Sequence, residues 1–251
     1  MKVTILGCGT SGGVPSISGN WGACDPADPR NRRRRVSIMV EQGASRLIVD
    51  TSPDLREQCL GAGVDRLDAV LLTHDHADHT HGIDDLRGLA YQRRVPVHAD
   101  PVTLETVRGR FGYVFDGHAG YPPICDARPI DGPFHVGDIP VTPFRQQHGD
   151  AFSLGFRFGR VAYSTDVTGF PPASWAELAD LDLWIVDALR YEPHPTHAHL
   201  AMTLEWIARV RPKHAILTHM NWDMDYATLA AQLPPGIEPG VDGLSMDLPD
   251  A

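Results

Sequence analysis

The most informative stretch of the sequence is Thr73-His74-Asp75-His76-Ala77-Asp78-His79, which directly follows the apolar residues 69–72. The apolar run predicts a short buried strand. Just after it, six consecutive positions carry four side chains that can ligate a metal ion, namely His74, His76, Asp78 and His79. Imidazole nitrogens and carboxylate oxygens suit zinc, and also manganese or iron. Their spacing does not fit one tetrahedral ion, so the stretch predicts a two-metal centre rather than a merely solvated polar loop.

Three later segments repeat one pattern, an apolar run that ends near a single potential ligand. Each such residue alone is more often an ordinary residue at the end of a strand. As a set that follows the cluster, they complete two ligand groups. The predicted ligands of the first ion are His74, His76 and His148. The predicted ligands of the second ion are Asp78, His79 and His219, with Asp166 bridging the two ions.

Periodicity along the 251 residues predicts short strands separated by turn clusters, with a few helices between them, one of them over residues 84–92. Strands come first in each half of the chain and helices end it. This order favours two packed sheets with helices outside over a regular βαβ series. The expected fold class is α/β (α+β), in one domain over residues 1–251. Residues 109–132, rich in Gly, Pro and aromatics, are expected to form a connecting loop or lid.

Composition and charge exclude several classes of function. Lys and Arg total 22 against 32 Asp and Glu, for a net charge of -10, so the chain is a poor candidate for a general duplex-binding protein. No run approaches the roughly 18 apolar residues of a membrane span, and the N-terminal apolar segment is too short for a signal peptide. The four cysteines include no C-x-x-C pair, so we expect neither disulfides nor a thiolate zinc site, and a cytoplasmic location.

The H-x-H-x-D-H cluster, with His148, Asp166 and His219 downstream, resembles the metallo-β-lactamase superfamily. The resemblance runs from Gly7 to about Gly243 and implies a four-layer αββα sandwich with a dinuclear site along one sheet edge. Within that superfamily, three motifs look like the phosphoribosyl 1,2-cyclic phosphate phosphodiesterase group, which is close to ribonuclease Z. They are GCGTSGGVP at 7–15, DPRNRR at 28–33 and LTHM at 217–220.

The chain departs from other members of the superfamily in three places. The proteins that it resembles carry a structural zinc on clustered cysteines before the arginine run, whereas only Cys24 stands there, so no structural zinc is expected. The long Gly/Pro arm with which ribonuclease Z grips tRNA is not recognisable in the sequence. Asp166 stands where β-lactam hydrolases carry a cysteine, which argues against hydrolysis of β-lactam antibiotics.

The expected mechanism is attack of a metal-bound hydroxide on a phosphodiester, with Asp78 both ligating metal and orienting the hydroxide. The leaving alkoxide needs a general acid, and residues 194–200 offer three imidazoles before a helix. In the resembling family, a histidine immediately before Leu at this helix start donates the proton. The resemblance therefore implies His199 as the catalytic acid, with His197 as the alternative. Asp187 ends an apolar run where a carboxylate would orient a ligating histidine.

Arg30 and residues 32–35 form the strongest charge run in the sequence. Such runs are usually solvated surface. Because the chain is otherwise acidic, a patch that steers phosphate near the mouth of the site is the other interpretation. On that interpretation, Arg33 and Arg34 are the predicted substrate contacts.

Together, these features favour a dinuclear metal-dependent phosphodiesterase that acts on a small cyclic phosphate or nucleotide-like phosphodiester. Its cofactors are expected to be two divalent ions, zinc or manganese. Neither a long nucleic acid nor a membrane is expected as a partner, and the resemblance allows a homodimer. The alternatives are a ribonuclease Z-like tRNA 3′-processing nuclease, a glyoxalase II-like thioester hydrolase and a non-catalytic module that binds metal or ligand.

Overall fold

Two β-sheets form the centre of the molecule in a computed structural model that describes residues 1–91 and 93–249. In chain order the strands are β1 (Lys2–Gly7), β2 (Ser37–Gln42), β3 (Ser45–Val49), β4 (Ala69–Leu71), β5 (Val95–Ala99), β6 (Cys125–Pro129), β7 (Phe134–Val136), β8 (Ile139–His148), β9 (Ala151–Phe158), β10 (Val161–Ser164), β11 (Leu183–Asp187), β12 (His214–Thr218), β13 (Ile237–Pro239) and β14 (Ser245–Asp247). The first sheet has the order β14-β1-β2-β3-β4-β5-β6, and the second has the order β13-β12-β11-β10-β9-β8-β7.

Helices flank the two sheets. In chain order they are α1 (Leu55–Ala62), α2 (Ala77–Thr80), α3 (Pro101–Arg110), α4 (Gly112–Asp116), α5 (Ser174–Glu177), α6 (Leu200–Val210) and α7 (Tyr226–Gln232), with 3-10 helices at Pro29–Asn31 and Ile83–Leu89. Within residues 1–91 and 93–249, no helix has both the length and the apolar character needed to cross a lipid bilayer.

The local sequence sets the ends of several helices. Helix α3 begins where the side chain of Asp100 accepts hydrogen bonds from the backbone N–H groups of Val102 and Thr103, with Pro101 in the first turn. Helix α1 ends at Gly63, whose φ of 65° lies in the left-handed region that glycine adopts without a steric cost. These caps satisfy backbone groups that a helix end leaves unpaired.

Each sheet changes from antiparallel to parallel pairing partway across. In the first sheet β3, β4, β5 and β6 run parallel, and in the second sheet β10, β11, β12 and β13 run parallel. Parallel strands end at a common edge of their sheet, and side chains that follow such strand ends are brought together there. The residues that directly follow β4, β10, β11 and β12 are therefore grouped by the topology.

Apolar side chains fix the strands on both faces of the first sheet. In β3, Leu47 and Val49 belong to a buried cluster that includes Trp184 of the second sheet. The intervening Ile48 belongs to another cluster, which includes Val107 of helix α3. This alternation follows from the two-residue period of a strand. Burial of one such side chain stabilises the fold by roughly 1.5–3 kcal/mol, so the strand ends are firmly held.

The four-layer αββα arrangement expected from the sequence is confirmed. Residues 109–132 differ from the expected loop, because they contain helix α4 and strand β6. Val114 and Ile124, both buried, are joined there by a backbone hydrogen bond of 2.9 Å. The helix expected over residues 84–92 is the 3-10 helix at Ile83–Leu89, and Gln92 lies outside the described residues.

Candidate metal centre

The first sheet contributes four potential ligands from one continuous stretch. After β4 the chain turns through His74 and His76 into helix α2, which carries Asp78 and His79. The hydroxyl of Thr80 donates to the carbonyl of His76 at 2.8 Å and closes this turn. His74 and His79 are buried, whereas His76 is exposed, so the stretch spans the depth of the site from core to surface.

The second sheet contributes one residue at each of three strand ends. His148 is the last residue of β8, Asp166 follows the end of β10 by two residues, and His219 directly follows β12. These three residues are only 4%, 2% and 1% exposed, respectively. Polar side chains buried to this extent need partners, and the polar groups nearest to them are one another and the side chains of the first-sheet stretch.

Three residues at this edge have a left-handed backbone conformation, which residues other than glycine rarely adopt. The φ angle is 66° at Asp50, 53° at Asp166 and 59° at His219. A non-glycine residue in a sparsely populated conformation costs of order 1–3 kcal/mol and persists where the surrounding structure holds it. Strain of this kind gathers at functional sites, and here it marks the edge at which the potential ligands meet.

The carboxylate of Asp166 lies between two groups of imidazoles. Its Oδ2 is 3.7 Å from His74 Nε2 and 3.8 Å from His148 Nε2. Its Oδ1 is 3.2 Å from His79 Nε2 and 3.7 Å from His219 Nε2. Each carboxylate oxygen therefore faces a different pair of rings.

Ligand atoms in this region fall into three groups, in each of which they lie within 4.8 Å of one another. The groups are His74, His76, His148 and Asp166; Asp78, His79 and His219; and Asp166, His197 and His219. The first two groups contain all seven residues predicted as ligands. The structure thus brings the predicted set together, and the binding of metal by that set stays a prediction.

Hydrogen bonds on the far side of two rings orient them toward the cluster. Asp50 Oδ2 accepts from His79 Nδ1 at 2.7 Å, and the carbonyl of Thr196 accepts from His148 Nδ1 at 2.7 Å. With the proton on Nδ1, Nε2 of each ring keeps a lone pair for a metal ion. Asp50 is itself held by the hydroxyl of Thr73, which donates to its Oδ2 at 2.9 Å.

Several buried nitrogens of the cluster have no hydrogen-bond partner within residues 1–91 and 93–249. They include Nε2 of His74, His79 and His219. Leaving a buried polar atom unpaired costs about 1–3 kcal/mol, and all three atoms face the same carboxylate. Imidazole nitrogens with carboxylate oxygens are a donor set that zinc and manganese accept. The residues present therefore fit divalent cations.

Burial and nearby carboxylates act in opposite directions on two of the imidazoles. Burial lowers the pKa of His79, but Asp166, Asp78 and Asp50 raise it, and the pKa of His79 ends well above its ordinary value. The same opposition raises the pKa of His219 to about 9. The carboxylates thus outweigh burial and favour positive charge at this end of the cluster.

Two carboxyl groups of the cluster are stabilised as anions. Burial raises the pKa of Asp78 and Asp166, but His79 beside Asp78, and His219 with His79 beside Asp166, lower it. Both carboxyl groups end with a pKa well below their ordinary value and are ionised at neutral pH. At His74 burial dominates, and the pKa falls well below its ordinary value, so this ring is neutral as a ligand must be.

The structure separates the two candidates for the general acid. His197 Nδ1 lies 3.2 Å from Asp187 Oδ2 and 3.6 Å from Asp166 Oδ2, and its ring stacks on that of His219 with centroids 4.6 Å apart. His199 occupies the N-cap position of helix α6 and makes no capping hydrogen bond through its side chain. In the part of the chain that the structure describes, His199 belongs to none of the ligand groups.

Arg33 and Arg34, predicted as substrate contacts, are placed differently by the structure. Arg33 is 2% exposed, and its guanidinium donates to the carbonyls of Asn221 and Met224 at 2.9 and 2.5 Å. A side chain buried in this way is closed to a substrate, so the expectation for Arg33 is corrected. Arg34 lines a cavity of about 580 Å³, which Gly13 and the buried Arg33 also border, and the contact of Arg34 with substrate stays a prediction.

Two groups at the site were missed in the sequence. Asp50 directly follows β3 and shows the same signal that identified Asp166, an apolar strand that ends in a carboxylate. The carbonyl of Thr196, which orients the ring of His148, carries no side-chain signal at all. Asp187, expected to orient a ligand, lies with its Oδ1 3.8 Å from Nδ1 of His219.

The two sheets, their flanking helices and the cluster of potential ligands between them define a metallo-β-lactamase fold. Residues 45–220 match the family model described as "Beta-lactamase superfamily domain", a range that contains the whole cluster. The chain belongs to the metallo-β-lactamase superfamily, in the group that includes PhnP-like and ribonuclease Z-like proteins. The identification of the family made from the sequence motifs is confirmed.

Curated relatives match this chain over part of their own length. An octanoyltransferase of Porphyromonas gingivalis is 36% identical over an alignment of 254 residues, gaps included, that covers 97% of this chain and 51% of the relative. A ribonuclease Z of Bradyrhizobium sp. is 34% identical over 141 residues, which cover 52% of this chain and 46% of the relative. The chain thus spans about half the length of the curated relatives that it matches.

Solved structures match the chain from end to end. A new diphosphatase from the PhnP family has a TM-score of 0.92 and 35% sequence identity, covering 99% of this chain and 98% of its own. Zinc-bound PqqB from Methylobacterium extorquens has a TM-score of 0.78 and 22% identity, covering 99% of this chain and 100% of its own. The second similarity supports the fold alone, whereas the first extends to the sequence.

Proposed function

We propose that the chain is a dinuclear metal-dependent phosphodiesterase that cleaves a small cyclic phosphate, a nucleotide-like phosphodiester or a related diphosphate. The observation that carries this proposal is the position of Asp166, whose two oxygens face separate pairs of imidazoles. Similarity over 98% of the chain of a PhnP-family diphosphatase supports chemistry at phosphorus.

The residues proposed to hold the ions are the seven already predicted: His74, His76, Asp78, His79, His148, Asp166 and His219. Two divalent ions, zinc or manganese, would supply a nucleophile from water at neutral pH and neutralise charge on a phosphoryl oxygen. Asp78 Oδ2 lies 3.3 Å from His79 Nε2 and 3.7 Å from His219 Nε2. Because Asp78 stays ionised, it can accept a hydrogen bond from the attacking water and orient it.

His197 is the general acid in this proposal, in place of His199. Asp187 Oδ2, 3.2 Å away, accepts a hydrogen bond from Nδ1–H of His197 and leaves Nε2 to carry the proton that is transferred. The side chain of His197 is 13% exposed, so it reaches from the buried cluster toward the solvent. A leaving oxygen bound at the mouth of the site would take its proton from Nε2 of His197.

A second candidate function is tRNA 3′ processing, which is favoured by the 34% identity to a ribonuclease Z from Bradyrhizobium sp.. The net charge of -10 argues against it, because binding of a long nucleic acid depends on neutralising many phosphates. A small phosphodiester makes no such demand, and we therefore place it first.

The test uses chelator-stripped protein reconstituted with zinc or manganese and assayed on four substrates. These are bis(p-nitrophenyl) phosphate, diadenosine diphosphate, an aryl thioester and a precursor tRNA. His98→Gln is the matched control variant, since His98 lies on β5 outside the ligand groups. Metal content is measured on the same samples.

We expect metal-dependent cleavage of the diester or the diphosphate by the protein and by the His98→Gln variant, with two ions bound. Preference for the precursor tRNA would move the assignment to the ribonuclease Z type, and cleavage of the thioester alone to the glyoxalase II type. Metal uptake without turnover of any of the four would contradict the proposal and favour a binding module.

A further inference from the structure

Arg33 is one of the largest fully buried side chains of the protein, although it lies within a run of arginines. Within residues 1–91 and 93–249, no carboxylate lies at ion-pair distance from its guanidinium. A buried cation without a counter-ion is unfavourable unless its donors are hydrogen-bonded. The acceptors that Arg33 does use therefore show which part of the fold its charge holds.

The guanidinium of Arg33 binds two backbone carbonyls like a fork. Nη1 donates to the carbonyl of Asn221 at 2.9 Å, and Nη2 donates to the carbonyl of Met224 at 2.5 Å. Nη2 also lies 3.4 Å from Oδ1 of Asn31, which accepts in turn from the backbone N–H of Tyr226 at 2.7 Å. Because a guanidinium is planar and rigid, it fixes the separation of the two carbonyls.

The segment held by this fork directly follows a residue of the cluster. Asn221 and Met224 stand two and five positions after His219. Met220 lies between His219 and Asn221 in the sequence. Its N–H donates to the carbonyl of Cys8 at 2.9 Å, which pairs it with the Gly-rich loop at residues 7–15. The chain after β12 is thus clamped between this loop and Arg33.

His219 depends on such a clamp for its position. Its φ of 59° lies in the left-handed region, which a residue other than glycine keeps only where the surroundings hold it. Its buried Nε2 makes no hydrogen bond in the described part of the chain and lies 3.7 Å from both Asp78 Oδ2 and Asp166 Oδ1. A relaxed backbone at His219 would move the ring away from both carboxylates.

We propose that Arg33 is a positioning residue for His219, acting through the carbonyls of Asn221 and Met224. This inference rests on the proposed function, in which His219 ligates one of two ions together with Asp78 and His79. It assigns to Arg33 a task inside the protein, in place of the substrate contact that the arginine run first indicated.

The test compares Arg33→Met and Arg33→Lys with a matched control, Arg157→Met. The guanidinium of Arg157 also donates to backbone carbonyls, which are those of Gly159, Glu177 and Ala179 at 2.7, 2.7 and 2.9 Å. Arg157 pairs with Thr142 at the end of β9 that is remote from the His148 pairing, so it serves the fold and not the cluster. For each protein we measure the thermal unfolding temperature and titrate the metal-free form with Co²⁺.

We expect the unfolding temperature to fall in both methionine variants. In Arg33→Met, the affinity for one Co²⁺ equivalent should drop about 10- to 100-fold while the other equivalent stays as in the unmodified protein. Arg33→Lys, which keeps the charge without the fork, should show a smaller loss at the same equivalent. Arg157→Met should keep both affinities.

Two results would overturn the role of Arg33: wild-type affinity for both equivalents in folded Arg33→Met, or equal weakening of both equivalents, as general destabilisation would produce. If Arg33→Met does not fold, Arg33→Lys supplies the same comparison. Binding of fewer than two Co²⁺ ions by the unmodified protein would instead contradict the proposed dinuclear centre, so the two failures are distinguishable.

Discussion

The two sheets build the cluster in different ways. The first sheet supplies its four residues from positions 74–79, so one turn and one short helix place them all. The second sheet supplies His148, Asp166 and His219, which come from three separate strand ends. The first set depends on local chain geometry, whereas the second depends on the register of strands that are distant in sequence. Remote changes should therefore disturb the second set more than the first.

Both sheets place a further carboxylate behind a ring of the cluster. Asp50, after β3, accepts from His79 Nδ1 at 2.7 Å. Asp187, at the end of β11, has Oδ2 3.2 Å from His197 Nδ1 and Oδ1 3.8 Å from His219 Nδ1. The first carboxylate serves one ring, whereas the second lies between two. Under the proposed function, Asp50 therefore orients one ring, whereas Asp187 also supports the proposed proton donor, His197.

Replacement of the residue that joins the two sets should have the largest effect. Asp166→Asn keeps the shape of the side chain and removes the charge that both groups of imidazoles face. If the transition state loses about 4 kcal/mol of the stabilisation that the ions provide, the activity falls roughly a thousandfold. Steady-state kinetics and metal analysis measure the outcome, with Asp182→Asn, paired with Arg160 and Lys213 at the start of β11, as the control. Activity within tenfold of the parent protein would contradict a bridging role.

Within the second region, His197 and His199 offer a comparison at nearly the same place in the chain. Because His197 is held by Asp187 and His199 is not part of the ligand groups of the described chain, His197→Ala should lower kcat about a hundredfold. His199→Ala should change kcat little, and metal content should stay the same in both variants. A substrate with an activated leaving group should recover much of the lost rate. The opposite ranking of the two variants would restore His199 as the acid.

Asp50→Asn tests the first region alone. The amide keeps a hydrogen-bonding oxygen but loses the charge that Nδ1 of His79 faces at 2.7 Å. We expect metal affinity to fall about tenfold or more. Titration of the metal-free protein with Zn²⁺ in competition with a chromogenic chelator measures this loss. Equal weakening of both ions would show that the first set is less independent of the second than the geometry indicates.

The smallest effect should come from His98, which joins the two sheets away from the cluster. Its ring lies on that of Phe134, with centroids 4.6 Å apart and an interplanar angle of 13°. Burial, with a smaller contribution from Arg128, lowers the pKa of His98 from its ordinary 6.5 to about 4. Between these values the unfolded chain binds more protons than the folded one, so stability falls as the pH drops from about 6.5 to 4.

His98→Gln should remove that part of the pH dependence. Urea unfolding of the metal-free proteins at several pH values between 7 and 4 gives the comparison, since the other histidines are common to both. The difference in free energy of unfolding between the two proteins should change across this window and level off below it. A constant difference would contradict a neutral, half-buried His98.

Much of the fold and of the site was predictable because both follow from local patterns. Apolar runs indicated central strands: the run at residues 69–72 predicted a short buried strand, and β4 spans Ala69–Leu71. The edge strands β7, β13 and β14 were not predicted. Each is only three residues long, and β14 is held to β1 by backbone pairing that leaves no apolar pattern in Ser245–Asp247.

The rest of the site depends on contacts that sequence neighbours do not determine. A run of arginines predicts exposed charge, and nothing in the run itself shows that Arg33 turns inward to carbonyls near position 220. His197 and His199 are likewise alike in sequence, and only the entry of the chain into helix α6 separates their directions. In both cases tertiary structure selects among residues of one type.

The left-handed residues Asp50, Asp166 and His219 have a consequence for how this protein can evolve. At these positions the side chain that serves the site is not the one that suits the backbone, because glycine would adopt the same φ without a steric cost. Selection for a more stable fold therefore favours glycine at these three positions, whereas selection for an intact site favours the residues that are present. Gains in thermal robustness must come from elsewhere in the chain, and a lineage that lost its chemistry would be free to replace these three residues first.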